Sequence, residues 1–302
     1  MTGPFGVQDR NLAGIIYIVI AIFMLASMDA VAKSLVTADY SVFQILFVRG
    51  SINFVILSLL MPFMGGLMLL RTSKFKLHGV RGFFGFLAPF CFFTALASMP
   101  LAETTVIFFV SPFIMTALSV PLFKEKVGIH RWGAILVGFC GVLYVAQPTS
   151  DGFNATVLIV LAGSLSYCFL MLASRSLGQT DHTFTIVFYV TFWTIIFSSA
   201  GAYYYWQPIP FEDLAAIGLM ALLSLGGNFC IVKAFTIGEV GVITPFEYTG
   251  LIWAVLLGII FYDEIPGLNV WVGTALIAAS GLYMVYRENK KKRPAADVQA
   301  SN

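Results

Sequence analysis

Five charged side chains stand inside long apolar runs of this chain: Asp29, Lys33, Arg49, Lys233 and Glu247. A charge at the centre of a lipid bilayer costs roughly 2.5–3.5 kcal/mol on insertion scales, so each needs a pathway, a ligand or a partner. Asp29 and Lys33 are four residues apart and share one helix face. Asp29 stands eight residues before Thr37 and Arg49 eight after Ser41; at the helical rise both lie about 12 Å deep from the same side. They can pair if their helices are neighbours, either as a fixed brace or as an anchor for a carboxylate, a phosphate or a polar ring edge. Lys233 lies near the end of its run, where it either snorkels to the interface or shares a cavity with Glu247. Glu247 is too deep to snorkel. Its carboxylate suits a cationic substrate group or a transferable proton. Tyr248 and Trp253 add polar and stacking surface beside it. Asp29, Arg49, Lys233, Glu247, Tyr248 and Trp253 are therefore the expected binding residues.

Nothing in the chain has the spacing of an enzyme site. There is no Gly-x-Ser-x-Gly, no His-Glu-x-x-His and no phosphate-binding loop, and no catalytic residue, cofactor or metal site is expected. His78, His130 and His182 fall in expected loops, where solvation accounts for them. The four cysteines, Cys91, Cys140, Cys168 and Cys230, lie in apolar runs rather than in spaced pairs and read as packing residues.

Large apolar helices must hold these charges. Of 302 residues 59% are hydrophobic and 11% charged, with a mean hydropathy of +0.90; a soluble domain carries about 25% charged residues. Runs of about 20 apolar residues cross a bilayer, and ten are expected, at about 12–36, 42–62, 81–99, 103–123, 131–147, 153–174, 183–205, 213–236, 240–262 and 268–286. The segment before Leu12 lacks the basic region and cleavage site of a signal peptide, so the first run is expected to be a retained span. Lys and Arg concentrate at Arg71–Arg81, Lys124–Arg131, Arg175 and Arg287–Arg293, whereas the alternate connections carry Asp39, Glu103, Asp151, Glu212, Asp213, Asp263 and Glu264. The positive-inside rule then puts the basic loops and both termini in the cytoplasm.

The fold class expected is an all-α membrane protein of ten transmembrane helices in two inverted five-helix repeats, residues 1–149 and 150–286, with a disordered basic cytoplasmic tail at 287–302. Five spans per half invert the second half against the first. Glu125 and Glu264 close corresponding spans on opposite sides, and Trp132 and Trp271 each follow seven residues later. Such inverted repeats mark alternating-access carriers, whose site lies between the halves.

Ten spans in two halves, Arg49 in the second span, the Pro-Phe…Glu-Lys ending of the fourth, and Lys-Ala-Phe…Thr-Pro-Phe-Glu-Tyr…Phe-Tyr-Asp-Glu-Ile-Pro together resemble the EamA type of the drug/metabolite transporter superfamily over residues 12–286. The resemblance implies a bacterial inner-membrane carrier with a central cavity, similar to carriers of riboflavin, S-adenosylmethionine or amino acids. The expected function is secondary transport of a small polar or aromatic metabolite, with riboflavin first and S-adenosylmethionine or an amino acid as the alternative. A channel-like or structural subunit stays open outside that class. The expected partners are a small-molecule substrate and the lipid bilayer, with no nucleic acid; a homodimer stays open.

Overall fold

The computed structural model describes residues 7–123, 128–147, 154–237 and 240–300. The first half holds α1 (Val7–Thr37), α2 (Val42–Met64), a 3-10 segment (Gly66–Leu70), α3 (Phe75–Leu96), α4 (Leu101–Phe108), α5 (Ser111–Phe123) and α6 (Ile129–Ala146). The second holds α7 (Ala155–Leu177), α8 (Thr183–Tyr204), α9 (Phe211–Ile237), α10 (Val240–Ile243), a 3-10 segment (Thr244–Tyr248), α11 (Thr249–Tyr262) and α12 (Leu268–Ala300). Among the described residues nine helical segments are long and apolar enough to cross a membrane, and Trp132–Ala146 is a shorter apolar helix in the place of the fifth expected span. The chain is thus an all-helical, multi-pass membrane protein.

The packing shows how the halves are related. α1 lies against α9 and α3 against α7 over long interfaces, while α2 meets α8 and α6 meets α12. Matching the spans of one half to the other in order turns the α1–α9 contact into the α7–α3 contact and maps the other two onto themselves, as an inverted repeat requires. One approach is very close: a Cβ on Gly82 of α3 would stand 2.2 Å from the Cβ of Trp193 on α8. No larger residue fits there without moving a helix.

The fourth and ninth spans are both broken. Pro112, in the first turn of α5, cannot donate to the carbonyl four residues earlier. That carbonyl, Phe108 O, lies 3.3 Å from Ser164 Oγ, sharing its one proton with Val160 O at 2.9 Å, and Ser111 O accepts from the Cys168 thiol at 3.2 Å. Side chains of α7 thus satisfy backbone that lipid could not. In the ninth span Pro245 opens the 3-10 segment that carries Glu247.

Two expectations change. The third span begins at Phe75, not near Arg81, so His78 and Arg81 are helical and buried, at 1% and 8% exposure. Both find polar partners across the bundle, which is why they need no loop. The tail, expected to be disordered, continues α12 to Ala300; its Lys, Arg, Glu and Ala are good helix formers.

The two ends of the bundle differ in charge. The basic end carries Arg71, Lys74 and the turn before α8; the acidic end carries Asp39, Glu212, Asp213, Asp263 and Glu264.

Candidate functional site

Asp29 and Arg49 face one another from α1 and α2 closely enough for their charges to interact, yet no ion pair joins them among the described residues. Arg49 Nη1 lies 3.3 Å from Met28 Sδ, and its guanidinium stands 5.6 Å from the centre of the Phe93 ring. A thioether and a ring face are weak partners for a guanidinium. Asp29 makes no hydrogen bond among the described residues. Both residues sit deep in the bundle and both keep accessible surface. The arrangement is an acid and a base within electrostatic reach of one another and without a direct ion pair among the described residues.

Glu247 sits where the ninth span breaks, with Tyr167 of α7 and Tyr248 within electrostatic reach. It too lacks a hydrogen-bond partner among the described residues and keeps accessible surface. Phe108 packs on Tyr167 at 5.6 Å and Phe109 on Tyr248 at 5.6 Å, so rings from the break in the fourth span meet the two tyrosines within reach of Glu247. The Tyr248 hydroxyl lies against α12: a Cβ on Gly281 would fall 1.7 Å from its oxygen. Trp253 lies nearly two turns further along α11, edge-on to Phe23 at 4.9 Å, and its indole N–H is buried without a partner among the described residues. Counted from the acidic end, Glu247 lies about 24 Å deep and Asp29 about 12 Å. The two groups thus differ in depth by about 12 Å.

Lys233 is elsewhere. It lines a recess of about 320 Å³ at the basic end, with Met64 of α2, His182 and Phe184 at the start of α8, and Asn228 of its own helix. It is exposed, and no ion pair links it to Glu247 among the described residues.

Polar clasps tie the halves together at both ends. At the basic end Asp181 accepts from Thr72 Oγ1 at 2.6 Å and lies 2.7 Å from His78 Nε2. Tyr189 donates to Leu70 O at 2.8 Å, and Arg81 Nε donates to Ser174 Oγ at 2.7 Å. Burial pushes the Asp181 carboxyl up, but hydrogen bonds from Thr72, His78 and Thr180 outweigh it and hold the group below the ordinary carboxylate value. At the acidic end Gln44 exchanges two hydrogen bonds with the backbone of Gln207, at 2.7 and 3.0 Å. Tyr40 donates to Asp213 at 2.5 Å; chiefly that bond, with burial and the acids nearby adding, pushes its phenol up to about 12.

Sequence reasoning missed the tightest contact. Lys33, 4% exposed, forms an ion pair with Glu264. Lys33 Nζ also donates to Met99 O at 3.2 Å, and Glu264 Oε2 accepts from Leu101 N–H at 2.9 Å. Tyr262 lies under the ammonium, 5.1 Å from ring centre to Nζ, and donates to Ala30 O. Asp263 brings Glu264 into place: it ends α11 in the left-handed region (φ 53°), which Asp tolerates, and Glu264 N–H closes on Gly258 O at 3.1 Å. The signal in the sequence was a lysine that, with Asp29, interrupts an apolar run, and its partner lies 231 residues away.

The sequence pattern of the EamA-like transporter family matches twice, over residues 12–147 and 154–287. The chain belongs to the EamA-like transporter family. Curated EamA-like relatives are similar over most of its length. An S-adenosylmethionine uptake transporter of Rickettsia prowazekii (strain Madrid E) is 25% identical over 285 residues, 92% of this chain and 94% of that one. A riboflavin transporter of Vibrio cholerae is 28% identical over 227 residues, 74% and 76% of the two chains. A pseudopaline exporter of Pseudomonas aeruginosa is 27% identical over 281 residues, 91% and 96%. A solved crystal structure, 18% identical, shares the EamA-like fold with a TM-score of 0.62, covering 93% of this chain and 99% of that one. The two matched stretches coincide with the two sets of spans, and each contains one of the broken helices.

Proposed function

We propose that this EamA-like chain is a secondary transporter for a small zwitterionic metabolite that carries a ring, with S-adenosylmethionine as the first candidate. The observation that supports this most is the unpaired couple of Asp29 and Arg49. A substrate ammonium on Asp29 and a substrate carboxylate on Arg49 would complete both charges, as an α-amino acid group does. Glu247 and the rings of Phe108, Phe109 and Tyr167 then receive the far end, where a sulfonium charge and a planar base meet a carboxylate and aromatic faces. Near-full-length similarity to S-adenosylmethionine uptake transporters points the same way. Riboflavin, placed first on the sequence, remains the second reading because the aromatic pairs around Glu247 suit a flavin ring. It leaves Asp29 without a cation.

The two repeats rock about the site, opening it to one side at a time. The basic end faces the cytoplasm of a bacterial inner membrane. The test is thermal stabilisation of the purified protein. A ligand at 100 times its dissociation constant adds about 2.7 kcal/mol. Stabilisation by S-adenosylmethionine that is lost in both Asp29→Asn and Glu247→Gln is the expected result. Stabilisation by riboflavin alone would replace the substrate. Undiminished uptake by Glu247→Gln at normal abundance would remove that residue's role.

A further inference from the structure

The Lys33–Glu264 pair does more than join two helices. It connects α1 of the first repeat to the loop after α11 of the second, and both members also hold the 97–101 turn of the first repeat. The acidic end is therefore shut along this seam. Opening it must break the pair, and Lys33 is too deeply buried to be left without an anion. Asp29 is the acid one turn below on the same face of α1 and has no hydrogen-bond partner among the described residues.

We propose that Lys33 exchanges partners. It holds Glu264 when the acidic end is closed and Asp29 when that end is open, so that a cation arriving on Asp29 displaces Lys33 and closes the end behind itself. This rests on the reading that Asp29 receives the cationic group of the substrate. Lys33 is then a positioning residue: it touches no substrate, but it makes closure depend on occupancy. An empty carrier keeps Lys33 neutralised in either state, and a loaded one does so only when shut.

Hydrogen–deuterium exchange of the full chain in lipid nanodiscs tests this, read in the segments 98–104 and 262–267. Lys33→Gln should speed exchange in both segments by about tenfold or more, since a buried pair is broken. Asp29→Asn, without any ligand, should slow it by about threefold, because the open state loses the partner of Lys33. Unchanged exchange in Lys33→Gln, or equal or faster exchange in Asp29→Asn, overturns the proposal, since a plain brace is indifferent to Asp29. S-adenosylmethionine should slow exchange in the wild type and not in Asp29→Asn. If the variants behave as stated and this ligand has no effect, the substrate assignment fails and the exchange of partners stands.

Discussion

Tyr248 shows how one side chain sets a helix contact. Its hydroxyl is lodged so close to Gly281 that no Cβ fits between them. Gly281→Ala should therefore lower the melting temperature by several degrees, as overpacking costs about 1–3 kcal/mol. Tyr248→Ala added to it should cost clearly less than the sum of the two single changes. Strict additivity in thermal unfolding would show that α12 yields at that point without strain. The residue types at the site were readable from sequence, because an acid or base in an apolar run declares itself by its cost. Direction was not: the same reasoning that singled out Glu247 also took Tyr248 as a binding residue and left Lys233 between the interface and the cavity of Glu247, and only packing shows that the Tyr248 hydroxyl meets α12 and that Lys233 lines a recess at the basic end.

At the scale of the element, the broken fourth span depends on its neighbour. Ser164→Ala leaves Phe108 O without its donor and should destabilise the protein by about 1–3 kcal/mol. In a Pro112→Ala background the restored amide can take that carbonyl, and the cost of Ser164→Ala should shrink. An equal cost in both backgrounds, measured by chemical or thermal unfolding, would show that the hydroxyl does not serve the break. The basic-end clasp gives a pH-dependent counterpart. The folded protein holds the Asp181 carboxyl below its ordinary value of 3.8, so its contribution is full above that value and is lost as the pH falls through the lowered one. Asp181→Asn should lower the melting temperature at pH 7 and cost progressively less below pH 4; a constant difference would assign the loss to packing. Pro112 and Pro245 are the marks that make the two breaks legible in the chain itself. The burial of His78 and Arg81 was not legible, because an expected loop rich in charge looks the same whether its groups meet water or one another across the bundle.

The whole molecule is two halves that stabilise one another. The α1–α9, α3–α7, α2–α8 and α6–α12 contacts all cross between them. Residues 1–149 and 150–302 expressed separately should each be degraded, and together should restore ligand binding; survival of either half alone would contradict the interlocked arrangement. The ten spans and their inversion could be read from hydropathy and the alternation of charge, which are properties of composition. The pairing of spans could not, because it is set by surfaces far apart in the chain. That separation also has a consequence in time. Lys33 is made 231 residues before Glu264, and at a synthesis rate of roughly 5–20 residues per second the wait is about 12–46 s. During it Asp29, one turn away on the same helix, is the anion within reach of Lys33, so the first helix can enter the bilayer with that charge compensated and hand Lys33 to Glu264 once the last loop has been made.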